Sequence, residues 1–487
     1  MDVRRSNVVL RPNHARVLFR PFRFHGEQRP LKIVARLMAL SERQVADLLS
    51  DVLRDFKGRH QKPQEFFLLR FEDVRPFLLT DDDVSEKRKT LIGAYFSQEY
   101  SLESAALFNP SMVWHPSQKG VAPAAKRFIV SLRSTGEGHV SSISFRTGLI
   151  DSDGKITIDV PTRFVTAPPA EPNASYDKPL FVRKLFELGL ANEFVDLVMG
   201  QLDDAFTLPD LQLAVGRMKR QHRARRKESE QVAEGMLALA QSNYQVRFAK
   251  SQGLSERVIF PYAPTETNGI EDARFVEFRD DDGRRVYYAT YSAFDGRVVL
   301  PQLLETEDFL LFRMSTLNGP EVRNKGFALF PRKINGHYAM LSRQDGENMF
   351  VMYSDMIHFW YSKQLVLKPT CPWEFVQVGN CGPPIETSAG WLVLTHGVGP
   401  MRKYAIGACL LDLNDPGRVI GRLREPLLTP NENEREGYVP NVVYSCGGLV
   451  FGDTLVIPYA MADFATTFAT VSLPDLLTAL TGKSAAR

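Results

Sequence analysis

Arg285-Val286-Tyr287-Tyr288-Ala289-Thr290-Tyr291 is a run of β-prone side chains set between turn formers, with Asp282-Gly283 before it and Asp295-Gly296 after it. Runs of the same kind recur at 309–313, 338–341, 350–353, 391–395, 404–411 and 455–459. Branched and aromatic side chains suit a pleated, half-buried surface, and Gly, Asn, Asp and Pro break the chain between strands. Many short strands with regular turn signals predict an all-β domain, whether sandwich, barrel or propeller. No repeat of fixed period is visible, so periodicity does not choose among the three.

Upstream of residue 257 the pattern changes. From 31 to 56 apolar residues return at helical spacing (Ile33, Leu37, Leu40, Val45, Leu48, Leu49, Leu53). Ser41, three residues before Gln44, predicts a capping box that splits this stretch into two helices. A β-prone run begins near Arg127 and continues through 140–145 and 156–160, with the turn Asp151-Ser152-Asp153-Gly154 in between. Ala167-Pro168-Pro169-Ala170-Glu171-Pro172 reads as a linker, and helical periodicity resumes over about 178–245. The expected organisation is a mostly helical N-terminal module (1–95), a first β portion (96–175), a helical insertion (176–250) and the remaining β domain (251–487).

The chain has 487 residues, 44% hydrophobic and 24% charged, with a net charge of +3, so it can bury a large core and is no polyanion binder by bulk charge. The run 217–227 holds seven Lys or Arg in eleven residues. It lacks the interleaved aromatics of a single-strand nucleic-acid binder and reads as a solvated helix face. Cys371, Cys381, Cys409 and Cys446 form no Cys-x-x-Cys pair, so buried free thiols are expected rather than a zinc site. The charged N-terminus and the absence of a run of about 18 apolar residues predict a cytosolic protein without a membrane span. There is no metal-ligand spacing, no Gly-x-Ser-x-Gly and no Gly-rich phosphate loop, and no cofactor is expected.

The densest cluster of turn and ionisable residues is Thr267-Asn268-Gly269-Ile270-Glu271-Asp272-Ala273-Arg274. Further clusters run from Arg323-Asn324-Lys325-Gly326 to Asn335-Gly336, then Gly382-Pro383-Pro384-Ile385-Glu386-Thr387, then Gly390-Trp391 to His396-Gly397. With Ala106-Leu107-Phe108-Asn109-Pro110-Ser111 before them and Tyr459-Ala460-Met461-Ala462-Asp463 after, these motifs resemble glycoside hydrolase family 130 over roughly 101–475. That family comprises β-mannoside phosphorylases and β-mannosidases. The resemblance implies a five-bladed β-propeller with its active site at the mouth of the central channel. It makes Asp272 the proton donor, acting through a sugar hydroxyl, with Ala273 where the family has proline. It places Asn109, Asp463, Arg133, Glu271 and Arg274 with the mannosyl unit.

An inverting hydrolase needs two carboxylates, one as acid and one to activate water. Phosphorolysis needs the acid and a cationic pocket for phosphate, which arginine suits through paired hydrogen bonds. By the resemblance that pocket takes Arg323, Asn324, Arg343 and His396, while Gln377 stands where the family has lysine. Glu386 is the one extra acid that could serve a hydrolase as base; as a turn glutamate it is expected to face solvent. The expected reaction is therefore inverting phosphorolysis of a β-mannooligosaccharide to α-mannose 1-phosphate and a shortened acceptor, with phosphate as co-substrate. The alternatives are an inverting β-1,2-mannosidase, or a non-catalytic carbohydrate- or nucleic-acid-binding protein. The helical additions read as homo-oligomer contacts or as a lid.

Overall fold

The computed structural model describes residues 2–482 apart from 25, 81, 174 and 222–225. Sheets dominate, and helices are added at the N-terminus and between the first two sheets. The first sheet runs Ala106–Trp114, Lys126–Thr135, Ser141–Ile150 and Ile156–Ile158. The second runs Gly269–Arg279, Arg285–Phe294, Val299–Thr306 and Leu311–Thr316, and a single parallel pair, Gly269 with Ser141, joins it to the first. The third comprises Lys325–Leu329, Tyr338–Arg343, Met349–Ser354 and Gln364–Leu367. The fourth runs Gln377–Asn380, Gly390–Val398, Tyr404–Leu411 and Val419–Arg422. In the fifth, Val443–Tyr444, Thr454–Met461 and Ala465–Ser472 are completed by Val3–Leu10 from the opposite end of the chain. Within each sheet the neighbouring strands pair antiparallel.

The apolar cores lie between successive sheets. Phe145, Phe275 and Phe312 fill the space between the first and second, and Phe278, Met340 and Met352 that between the second and third. Leu341, Trp391 and Cys409 pack between the third and fourth, and Ile406, Val443 and Ile457 between the fourth and fifth. Phe128, Val456 and Phe468 then pack the fifth sheet against the first. A strand between two such cores is covered on both faces, which is why Gly390–Val398 is buried throughout and Trp391–Leu394 reads as an unbroken apolar run. Val3–Leu10 lies at a sheet edge, alternates in exposure and gives a weak sequence signal.

The capping box forms as read: the Gln44 N–H donates to Ser41 Oγ (3.3 Å) and the Ser41 N–H to Gln44 Oε1 (2.9 Å). It separates Gln28–Met38 from Glu42–Asp55, which pack with Pro63–Val74 and Glu86–Tyr95. Arg16 ties this N-terminal part to the sheets through the carbonyls of Thr162 and Ser255 and the buried Glu103. The insertion, Lys178–Glu187, Glu193–Met199, Leu208–Gln221 and Arg226–Gln241, has its own core around Leu185, Val198, Leu211 and Met236. Lys184 anchors it by donating to the Leu317 carbonyl (2.8 Å).

Two readings change. Ala170–Pro172 is not simply linker: it forms an edge strand against Tyr244–Arg247, with Pro172 at the margin where a missing N–H is tolerated. Tyr244–Arg247 is itself a strand on Leu311–Thr316, so the helical stretch ends at Gln241. Within the basic run, residues 222–225 lie outside the described residues. Cys381, Cys409 and Cys446 are buried free thiols, and Cys371 is half-buried. Among the described residues, no helix is long and apolar enough to cross a membrane.

Candidate active site

Residues of all five sheets meet around one cavity of about 270 Å³. The first sheet contributes Asn109 and Arg133, the second Asp272, and the third Lys325 and Arg343. The fourth contributes Gln377, His396, Tyr404 and the turn residue Arg402, and the fifth Val442, Tyr444 and Asp463.

One backbone device aims the key polar groups. Asn109, Asp272 and Asp463 all adopt left-handed backbone, at φ 47°, 56° and 49°. Asn and Asp enter that region more readily than other side-chain-bearing residues. Asn109 and Asp272 sit where the register shifts, between Phe108 and Ser111 and between Glu271 and Arg274. A bulge there turns a side chain out of the strand's alternation and into the cavity. Position 273, alanine here, falls inside the second bulge and is buried.

Asp272 Oδ1 accepts from Asn109 Nδ2 (2.7 Å) and Arg133 Nη1 (3.3 Å). Burial alone would raise its pKa. The charges of Arg133, Arg274 and Lys325 and the Asn109 hydrogen bond overcome that and hold it down to about 2. Asp463 goes the other way: burial and the Asp272 charge push it up to about 7, against the pull of Arg133 and Arg402. The two carboxyls share one field with their pKa values driven apart, so as pH rises toward about 7 the proton the pair still holds is on the Asp463 side.

Glu271 and Arg274 do not line the cavity. Glu271 receives Arg133 Nη2 (2.8 Å) and Lys325 Nζ (2.5 Å), fixing both cations from beneath. The buried Arg274 donates to the Asp272 carbonyl (3.1 Å) and to the Tyr444 hydroxyl (2.8 Å). Both residues, expected at the mannosyl unit, sit behind the lining groups that they hold.

The phosphate set also changes. Arg323 and Asn324 are exposed and outside the cavity lining; Asn324 reaches only the Gln344 carbonyl, at 3.5 Å. Lys325 lines the cavity instead. Lys325 opens the strand Lys325–Leu329 between left-handed Asn324 (φ 66°) and Gly326 (φ 89°), whereas Arg323 and Asn324 precede the strand. Arg343 stays, donating Nη1 to Gln377 Oε1 (3.0 Å) and the Gly346 carbonyl (2.9 Å), while its buried Nε has no partner among the described residues. His396 is fully buried, with Nδ1 3.1 Å from the Asn380 carbonyl and Nε2 3.3 Å from Gln377 Nε2. Burial first, then Arg343 and Arg274, press its pKa well below the ordinary value, so it is a neutral ring and not a cation. Gly379 faces it, where a Cβ would lie 2.6 Å from His396 Cε1. Glu386 stands apart, exposed and ion-paired with Arg332 (2.7 Å).

Lys325, Arg402, Tyr404, Val442 and Tyr444 were not singled out from sequence. Lys325 was in view within a quoted motif. Tyr404, whose ring is parallel to His396 at a centroid distance of 6.1 Å, opens a strand read only as β-prone.

Residues 209–481 match the glycoside hydrolase 130 family, described as beta-1,4-mannooligosaccharide phosphorylase. A 1,2-beta-oligomannan phosphorylase of Thermoanaerobacter sp. (strain X514) is 39% identical over 219 residues, 43% of this chain and 71% of that protein. A beta-1,2-mannobiose phosphorylase of Listeria innocua is 32% identical over 258 residues, covering 50% and 70% of the two chains. The solved Listeria innocua beta-1,2-mannobiose phosphorylase in complex with beta-1,2-mannobiose superposes with a TM-score of 0.47 at 19% identity, over 78% of this chain and 93% of that one. By the extent of its family match and the share of these relatives it covers, the chain belongs to glycoside hydrolase family 130.

Proposed function

We propose that this protein is an inverting β-mannoside phosphorylase built on a five-bladed β-propeller. The propeller reading is supported by the order of contacts: each sheet packs on the next, and Thr454–Met461 of the fifth returns to Ala106–Trp114 of the first. Val3–Leu10 then joins the two ends of the chain in one blade.

The observation that carries the phosphorylase reading is Arg343. It faces the cavity with no carboxylate partner and with a buried Nε free of any described partner. A largely buried guanidinium without a counter-charge is costly unless an anion pairs with it. An oxygen of phosphate satisfies both its charge and its donor geometry. The hydrolytic alternative loses Glu386, which is spent on Arg332 outside the cavity. The matched relatives named above are phosphorylases by name.

In this reading Asn109, Arg133 and Asp463 hold the mannosyl unit, and Arg343 orients phosphate for attack on the anomeric carbon. The C–O bond to the acceptor breaks as the bond to phosphate oxygen forms. Asp272, once protonated, supplies the acceptor's proton through a sugar hydroxyl, and the proton released from the new phosphate ester restores it. The low pKa of Asp272 belongs to the site without anion. A dianion seated at Arg343 offsets the cationic field around Asp272 and raises it toward a donor's range.

The test is product analysis with β-1,2- and β-1,4-mannobiose, with and without phosphate. Phosphate-dependent α-mannose 1-phosphate is expected from the unmutated protein, and Asp272→Asn should lower turnover by about 100- to 10,000-fold while keeping the fold. Free mannose formed equally in both tubes would overturn the phosphorylase reading.

A further inference from the structure

The cations around the cavity are not equivalent. Arg133 and Lys325 are tied to Glu271 and Asp272, so those two positive charges are locally balanced. Among the described residues Arg343 has no carboxylate partner, and Arg402 makes no hydrogen bond or ion pair, although its charge acts on nearby Asp463. A phosphate dianion therefore meets two positive charges here that no carboxylate ion-pairs among the described residues, one rooted in the third sheet and one in the fourth.

Arg402 is held where it can use that charge. It lies in the turn between Gly390–Val398 and Tyr404–Leu411, closed by Gly399 N–H to the Lys403 carbonyl (3.0 Å) and Lys403 N–H to the Pro400 carbonyl (3.2 Å). Met401 and Arg402 are both left-handed, at φ 56° and 53°. Two successive side-chain-bearing residues rarely adopt that conformation, and such outliers cluster at functional sites. The turn sits at the same end of the sheet as Gln377, which pairs with Val398, the strand residue that also pairs with Tyr404. Gln377 is neutral and spends its amide on Arg343 and His396.

We propose that Arg402 is the second cationic arm of the phosphate site, lining the same cavity as Arg343 and supplying from a turn the charge that position 377 lacks. This rests on the phosphorylase reading. Arg343 is fixed by its acceptors before the anion arrives, whereas Arg402 is exposed and closes on the anion from the solvent side.

The experiment uses the full chain with inorganic phosphate as the probe in calorimetric titration, together with KM values for phosphate and for β-1,2-mannobiose. Arg402→Asn removes the charge with a residue that tolerates left-handed backbone. It should raise the phosphate Kd and KM about tenfold to a hundredfold, the range for one charge-assisted contact, and leave the mannobiose KM within about twofold. Arg402→Lys should lose much less, and Gln377→Lys added to Arg402→Asn should recover most of the phosphate affinity. A phosphate Kd unchanged within about twofold in Arg402→Asn, or a mannobiose KM rising in step with the phosphate KM, would overturn the assignment. If the unmutated chain binds no phosphate at millimolar concentration and cleaves mannobiose without it, the phosphorylase reading itself falls, and the assignment falls with it.

Discussion

Replacing Asp463 with asparagine removes a carboxyl whose proton the folded site retains. Burial and the Asp272 charge raise this group from 3.8 to about 7, while Arg133 and Arg402 pull the other way. The unfolded chain releases the same proton near pH ~4. Between those values the folded state binds more protons than the unfolded one. The stability contribution is therefore complete below pH ~4 and is lost as pH rises through about 7. That difference corresponds to ~4 kcal/mol between the two protonation states. Asp463 is only half-buried, so about 2 kcal/mol is the expected size after solvent screening. Asparagine keeps the shape, accepts the φ of 49° and has no such pH term. The assay is paired thermal unfolding of both proteins from pH ~5 to ~8.5. The variant's advantage should grow with pH and level off above about 8, and the inflection near 7 in kcat/KM for mannobiose should disappear. A stability difference constant across that range would refute the claim that Asp463 holds the site's proton.

Arg343→Ala should raise the KM for phosphate about tenfold to a hundredfold and leave that for mannobiose nearly unchanged, since its guanidinium lines the cavity without a carboxylate partner among the described residues. Initial rates with each substrate varied in turn check this, and equal loss for both would remove Arg343 as a dedicated phosphate ligand. Glu386→Gln should leave kcat within about twofold and cost less than about 1 kcal/mol, because it breaks only an exposed pair with Arg332. A kcat collapse in that variant would bring back the hydrolytic base. Gly93→Ala should destabilise the N-terminal helices by about 3 kcal/mol, because a methyl there overlaps the Phe67 carbonyl oxygen. Limited proteolysis within residues 28–95 reads the effect, and an unchanged cleavage rate would show that the helices can move apart at no cost.

Local signals in the sequence carried well into three dimensions. Ser41 and Gln44 are three residues apart and cap as read, and the β-prone runs with their flanking turns became strands. The motif around Asp272, joined to Asn109 and Asp463 by the family resemblance, names three residues that line one cavity. Long-range and register-dependent features were not legible. Val3–Leu10 finds its partner at the far end of the chain, and nothing in Val3-Arg4-Arg5-Ser6 encodes that distance. Lys325 rather than Arg323 lines the cavity because the strand begins at Lys325, after left-handed Asn324, and where a strand begins is set by backbone angles that residue type does not fix. An exposed arginine in a turn, such as Arg402, has the same sequence signature as any solvated arginine.

The same limit governs charge, and it alters how the site works. Residue type makes His396 a candidate cation, but full burial beside Arg343 and Arg274 leaves it neutral. Residue type makes Asp272 and Asp463 alike, yet the first is encircled by Arg133, Arg274 and Lys325 while the second takes mainly burial and the first one's charge. A site arranged this way keeps Asp272 ionised while no anion is bound. Phosphate supplies negative charge beside that cationic cluster, and the added charge favours protonation of Asp272 by the like-charge effect that lifts Asp463. In the proposed reaction, arrival of the nucleophile and readiness of the acid would then be one electrostatic event, and a mannoside bound without phosphate would meet a carboxylate with no proton to give.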